Sequence, residues 1–304
     1  MNAAIGRIAG RGTRRHMFYR QVLADSGTVT GLIAGASLAL MLGCGAGKEP
    51  AQVAEEKPAA EAAVWQPKGD EGSVTGRIDF EGQPPKYKPI SMDADTACAA
   101  KHSKAVYPEA VVVNSNGTLR NVFVYVRGGL EGKTFAVPEQ PAVLDQDGCL
   151  YKPHVLGIQA RQTLKVVSSD NTTHNIHPIP KVNREWNVSQ PPGADPILQV
   201  FSRPESSIPV KCNQHPWMRA YIHVLSHPFY SVSGEDGTFA LKGLPPGNYE
   251  IEAVHEQYGA LTQQVTVAPS KATSADFRFL AGQAHRASSL QMLPALVLPC
   301  CGGN

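Results

Sequence analysis

Short apolar runs that alternate strictly with polar residues restrict this chain to strands. In SVTGRIDF, Val74, Gly76, Ile78 and Phe80 fall on one face and Ser73, Thr75, Arg77 and Asp79 on the other. A period of two is the mark of a half-buried strand. In NVFVYVR, Val122, Val124 and Val126 stand opposite Phe123 and Tyr125. The pattern returns at Leu164 and Val166, at Ile208, Val210 and Cys212, at Ala220, Ile222 and Val224, at Phe239 and Leu241, and at Tyr249, Ile251 and Ala253. Between these runs lie turn formers, 24 Pro and 28 Gly in all. The pattern predicts an all-β protein, and 304 residues leave room for about two domains.

The ends of the chain read differently. Arg7, Arg11, Arg14, Arg15 and Arg20 precede the apolar run Gly31 to Leu42, which is short for a membrane span and suits a signal peptide over residues 1–43. It ends in Met41-Leu42-Gly43-Cys44, which resembles the bacterial lipoprotein box; that resemblance implies lipidation of Cys44 and a periplasmic or cell-envelope location, anchored to a membrane by lipid. Residues 44–72 are mostly Ala, Glu, Pro and Lys, a composition that builds no core and predicts a disordered linker. Residues 281–304 lose the alternation and are expected to be a disordered tail, with Cys300 and Cys301 near its end. The formal charge is +2, but residues 1–43 hold five Arg and one Asp; without them Lys+Arg falls to 23 and Asp+Glu to 25, leaving −2. A near-neutral body is not a nucleic-acid binder.

The six cysteines form no CxxC pair, so a zinc array is excluded. Cys98 is expected to form a disulfide with Cys149 in an oxidising, exported setting. Cys212 stands in VKCNQHPWM, with His215 three residues on and Met218 three beyond that. Because Ile208, Val210 and Cys212 share a face, the thiol points where the apolar side chains point. Upstream, His174 and His177 offer further imidazoles; three apart on an extended chain, they face opposite ways. One thiolate, two imidazoles and a thioether make the ligand set of a mononuclear copper electron-transfer site, and a single thiol argues against structural zinc. Trp217 either shields such a site, lies on an electron path or simply packs.

The order of parts over roughly residues 140–226 resembles the cupredoxin family. A polar-alternating strand leads into Asp-x-x-x-His-Asn, and a later strand enters Cys-x-x-His-Pro-x-Met. The resemblance places the copper ligands at His174, Cys212 and His215 with Met218 axial, leaves His177 as a possible addition, and makes Asn175 the tie between the two ligand loops. It implies a Greek-key β-barrel. A second resemblance begins at Ser231. The turn Gly234 to Gly237 and the run Gly243-Leu244-Pro245-Pro246-Gly247 are similar to carboxypeptidase regulatory-like, or transthyretin-like, β-sandwich modules. The opening strands of such a module, SVTGRIDFEGQPP and NVFVYV, lie upstream of the copper segment. The expected architecture is a discontinuous sandwich, residues 73–138 and 229–280, with the cupredoxin segment 139–228 inserted in it or lying next to it.

No nucleophile elbow, HExxH or Gly-rich phosphate loop occurs, so the expectation is not an enzyme. The expected function is a type 1 copper protein passing single electrons between exported redox partners such as a cytochrome or an oxidoreductase. The alternatives are a copper storage or delivery protein and a structural, adhesive β-sandwich.

Overall fold

The computed structural model describes residues 63–282. The expected signal peptide, Cys44 and the Cys300–Cys301 tail lie outside the described residues. Among those described, the chain forms one short helix and seventeen strands, in the order β1 (Gly72–Glu81), α1 (Thr96–Ala100), β2 (Phe123–Gly128), β3 (Ala142–Gln146), β4 (Tyr151–Lys152), β5 (Val155–Gln159), β6 (Thr163–Ser168), β7 (His174–Pro178), β8 (Val188–Gln190), β9 (Ile197–Val200), β10 (Glu205–Lys211), β11 (Arg219–Leu225), β12 (Tyr230–Val232), β13 (Thr238–Leu244), β14 (Gly247–His255), β15 (Gly259–Val267), β16 (Ala272–Ser274) and β17 (Phe277–Leu280). No described helix is long and apolar enough to cross a membrane.

Strands distant in sequence build the first pair of sheets. β1 runs antiparallel to β13, with Val74 opposite Leu241, and parallel to β16 and β17. β2 lies between β12 and β14, and β14 continues into a hairpin with β15. Residues 72–128 thus pair with residues 230–280, across everything in between. The inward positions of the alternating runs fill one core: Val74, Ile78, Val124, Val126, Leu241, Tyr249, Ile251 and Ala253 are all buried together.

The intervening strands make two further sheets, β5-β11-β10-β7-β8 and β4-β3-β6-β9. Leu144, Leu164 and Val166 of one sheet pack on Ile176, Ile208, Val210, Cys212 and Ile222 of the other. The expected barrel does not close. No strand pair among the described residues joins the two sheets, so the unit is a pair of facing layers. The short β4 and β8 are edge strands, with two and three residues, and cannot carry a hydrogen-bonded ladder around the edge.

Strand β2 departs from the half-buried pattern, because both of its faces are covered. Val124 and Val126 enter the first core, while Phe123 on the opposite face is fully buried against Val155 and Leu225. Its ring stacks on His223 at a centroid distance of 3.9 Å. Across the same junction, Tyr230 donates its hydroxyl hydrogen to Gly157 O, and a Cβ at Gly157 would come within 2.1 Å of the Tyr230 ring. The expected linker also ends earlier than residue 72. Trp65 donates its N–H to Thr134 O and packs its ring on Phe135 and Phe229. A single large aromatic in a polar stretch is enough to anchor it, since rings bury so much area each.

Candidate metal centre

Three side chains from two elements converge in the second core. His174 is the first residue of β7. Cys212 follows β10 directly, and His215 stands in the turn between β10 and β11. That turn is closed by its own backbone: Met218 N–H donates to His215 O at 2.9 Å, and Cys212 N–H donates to Met218 O at 3.4 Å. His174 is 0%, Cys212 3% and His215 4% exposed. The two imidazoles face each other through Nδ1, 2.9 Å apart, and Cys212 Sγ lies 3.8 Å from Nδ1 of His215. All three donor atoms fall within 4.8 Å of one another.

The far edge of each ring is held by a carboxylate. Asp170 Oδ2 lies 3.0 Å from Nε2 of His174, and Asp95 Oδ2 lies 3.1 Å from Nε2 of His215. Asp170 also accepts the backbone N–H groups of Gly148 and Cys149 and pairs with Lys101 at 3.1 Å. Asp95 accepts the Thr172 hydroxyl at 2.8 Å and caps α1 through the N–H groups of Ala97 and Cys98. The Thr172 hydroxyl bond leads in holding Asp95 down to about 2, helped by His215 and the two capping N–H groups and opposed by burial. Burial pushes Asp170 up, yet the hydrogen bonds from His174, Cys149 and Gly148 outweigh it and its carboxyl sits well below the usual range. Burial likewise opposes charge on His174, but the Asp170 hydrogen bond and the neighbouring Cys212 raise it to about 9. For Cys212, burial is overcome by His174 and by the N–H groups of Asn175, His215 and Gln214, so the thiol is shifted toward thiolate.

Asn175 joins the two segments. Its Oδ1 accepts the N–H of Asn213 at 2.6 Å and of Gln214 at 3.3 Å, and the Cys212 thiol lies 3.4 Å away. Met218 is fully buried in the same core as Cys212. His177 is not brought to the cluster. Its ring faces Asn213 and Glu185, on the opposite side of β7 from His174. Trp217 lies over His215, with ring centroids 5.0 Å apart, and donates Nε1–H to Cys149 O. Cys98 and Cys149 are joined in a disulfide, whose Cys98 sulfur lies 3.6 Å from Nε2 of His215. Cys212 is the free cysteine among the described residues. His102 and His154 make other bonds, to Gly148 O and to Glu256.

Neither carboxylate is read as functional from the sequence. Asp170 carries a usable signal, four residues before His174 in the same turn. Asp95 carries none, since it lies 120 residues from the ring it holds.

The donors fit a copper ion. Two nitrogens each about 2.0 Å from one metal at a near-tetrahedral angle stand about 3.3 Å apart. The two Nδ1 atoms stand 2.9 Å apart, so a small opening of the pair brings both within reach of one ion. A thiolate with two imidazoles is the mixed soft and intermediate set that accommodates both copper valences.

No curated protein matches the chain. Among solved structures, a Cu-containing nitrite reductase from Thermus scotoductus is 22% identical over 31% of this chain, with a TM-score of 0.26; the chain spans 24% of that protein's length. A purple cupredoxin from Nitrosopumilus maritimus is 23% identical over 27% of this chain and 98% of its own, with a TM-score of 0.24. A variant of amicyanin in the Cu(I) form is 19% identical over 33% of this chain and 97% of its own, with a TM-score of 0.25. Residues 213–280 match the family model of the carboxypeptidase regulatory-like domain, a match that begins just after Cys212 and takes in β11 as well as β12 to β17.

Proposed function

We propose that the chain is a copper protein that holds one ion between His174, Cys212 and His215, with Met218 as a weaker fourth donor, and that it carries single electrons. The observation that supports this is the convergence of a buried thiol and two buried Nδ1 atoms within 4.8 Å. Copper bound there supplies a one-electron couple. The chain's own residues supply rigidity. His174 stands on a paired strand, the turn from Cys212 to Met218 is closed by two backbone hydrogen bonds, and Asn175 ties the two together. Such a frame holds the same donor positions in both valence states, which keeps rearrangement small when an electron moves. The burial of all three side chains favours electron passage through the protein over direct contact of a substrate with the centre. In this reading the protein is a carrier and not an enzyme. Its partners are exported redox proteins such as a cytochrome or an oxidoreductase, and it works in the periplasm or cell envelope on a lipid anchor at Cys44.

The test is metal content and visible absorption of the protein loaded with Cu(II). One ion per chain and an intense thiolate-to-copper charge-transfer band, both lost in Cys212→Ser, are expected. A stoichiometrically loaded, oxidised sample without that band would reject the thiolate as a ligand.

A further inference from the structure

The residue that holds His215 does not come from the two sheets that carry the ligands. Asp95 lies in the connection from β1 to β2, both strands of the regulatory-like sandwich. That connection crosses to the metal centre, forms α1 beside it and is fastened there by the Cys98–Cys149 disulfide. The two oxygens of Asp95 have separate tasks. Oδ1 caps α1, accepting the N–H of Ala97 and of Cys98. Oδ2 has no part in the cap. It accepts the Thr172 hydroxyl and meets Nε2 of His215. A helix of five residues needs only the first oxygen. The second is directed at the ligand ring, and the same carboxylate-to-Nε2 arrangement recurs at His174 with Asp170.

We propose that Asp95 is a positioning residue for the copper centre, keeping the His215 proton on Nε2 so that Nδ1 faces the metal, and that its negative charge favours Cu(II) over Cu(I). This rests on the copper reading above. A carboxylate on the far nitrogen of a ligand imidazole fixes its tautomer and orientation and makes it more basic; removing such a partner ordinarily costs about 10- to 100-fold in metal affinity. The two carboxylates are not equivalent. Asp170 is paired with the Lys101 ammonium, which offsets its charge, whereas Asp95 meets the ligand ring of His215 itself at 3.1 Å. The effect on the valence balance is therefore assigned to Asp95. The sandwich thereby contributes a side chain to a centre whose ligands all lie elsewhere.

Asp95→Asn in the full-length protein separates the two tasks. The remaining Oδ1 keeps the cap on α1, while an NH₂ group replaces the acceptor opposite Nε2–H. Asp95→Ser also preserves a capping oxygen and withdraws the carboxylate. In both variants the ratio of Cu(II) to Cu(I) affinity is expected to fall at least tenfold, which is a rise of at least 59 mV in reduction potential for a one-electron couple. Nitrogen-15 NMR of the metal-free wild type is expected to show His215 protonated at Nε2. This last measurement needs no variant to fold. Wild-type protein that binds copper, with variants whose affinity ratio stays within twofold of it, would overturn the role of Asp95 and leave the copper reading intact. So would a wild-type His215 protonated at Nδ1 alone. Wild-type protein that takes up no Cu(II) would remove the copper reading and this proposal with it.

Discussion

Replacing Asn175 by Leu should loosen the candidate centre before any metal is added. Leu has the same branched four-atom skeleton but no acceptor. The change strips the N–H groups of Asn213 and Gln214 of their shared partner and removes the donor to Oδ1 of Asn187, at 2.7 Å. Asn175 is buried, so water does not readily take its place. A buried polar group left without its partner costs about 1–3 kcal/mol. The two hydrogen bonds are part-buried and their donors stand on exposed residues, so the lower end of that range applies to each and the metal-free protein loses about 2 kcal/mol. With a urea slope near the upper end of the usual range, about 3 kcal/mol per molar, the unfolding midpoint falls by about 0.7 M. Asn175→Asp is the companion variant. It keeps the acceptor for both N–H groups and should recover most of the stability, but it places a carboxylate where the amide oxygen lies 3.4 Å from the Cys212 sulfur. A like charge disfavours the thiolate, so Cys212 should titrate at higher pH than in the wild type. A midpoint for Asn175→Leu within about 0.2 M of wild type at unchanged slope would refute the claim that Asn175 ties the ligand segments together.

Three further outcomes are expected. Removing the disulfide with Cys98→Ala and Cys149→Ala opens a loop with a sequence separation of 51 and should cost about 4 kcal/mol by loop entropy, read as a lower denaturation midpoint without reductant. His223 is buried and pushed down to about 3 by loss of solvation, so it stays neutral in the fold while the unfolded chain takes a proton below about 6.5. Its contribution is complete above that pH and is lost at up to about 1.4 kcal/mol per unit as the pH falls toward 3; His223→Gln, which keeps an acceptor for the Ser206 hydroxyl and the Ser207 N–H, should flatten the pH dependence of urea unfolding in that window. Phe123→Ala should destabilise by about 3–5 kcal/mol, because the ring is fully buried at the junction of the two units, and a loss below about 1 kcal/mol would mean that the junction collapses around the gap.

Much of the fold could be read from residue patterns, and the reason is local. Alternation specifies which side chain turns inward, so Ile208, Val210 and Cys212 share the buried face whichever strands pair with them. The candidate ligands rest on local grounds too. Cys212, His215 and Met218 sit in one turn; strand parity puts His174 and His177 on opposite faces, and the Asn after His174 and the polar turn before it favour His174. What pattern does not carry is what covers a face. Phe123 and Tyr125 fall opposite Val122, Val124 and Val126, and nothing local shows that Phe123 is buried by residues more than 30 positions away. The open edges of the two inserted sheets are equally illegible, because closure of a barrel depends on the lengths of edge strands and not on their periodicity.

Asp95 marks the same boundary more sharply. Its local context is a helix cap, and the cap alone accounts for an Asp at that position, so nothing in the neighbouring residues hints at a second task. The second task exists only because the β1–β2 connection is carried across to the ligand turn and fastened at Cys149. This gives the interrupted chain order a physical consequence. If the sandwich were a separate module joined by a flexible linker, the Nε2 edge of His215 would face water or a partner. Threading the two ligand sheets between β2 and β12 instead places residues 82–122 within reach of that edge. Asp95 and Cys98 then cover the Nε2 edge of His215, opposite residues of its own turn. Severing the sandwich from the ligand sheets should therefore alter the centre's electrostatics even with every ligand retained.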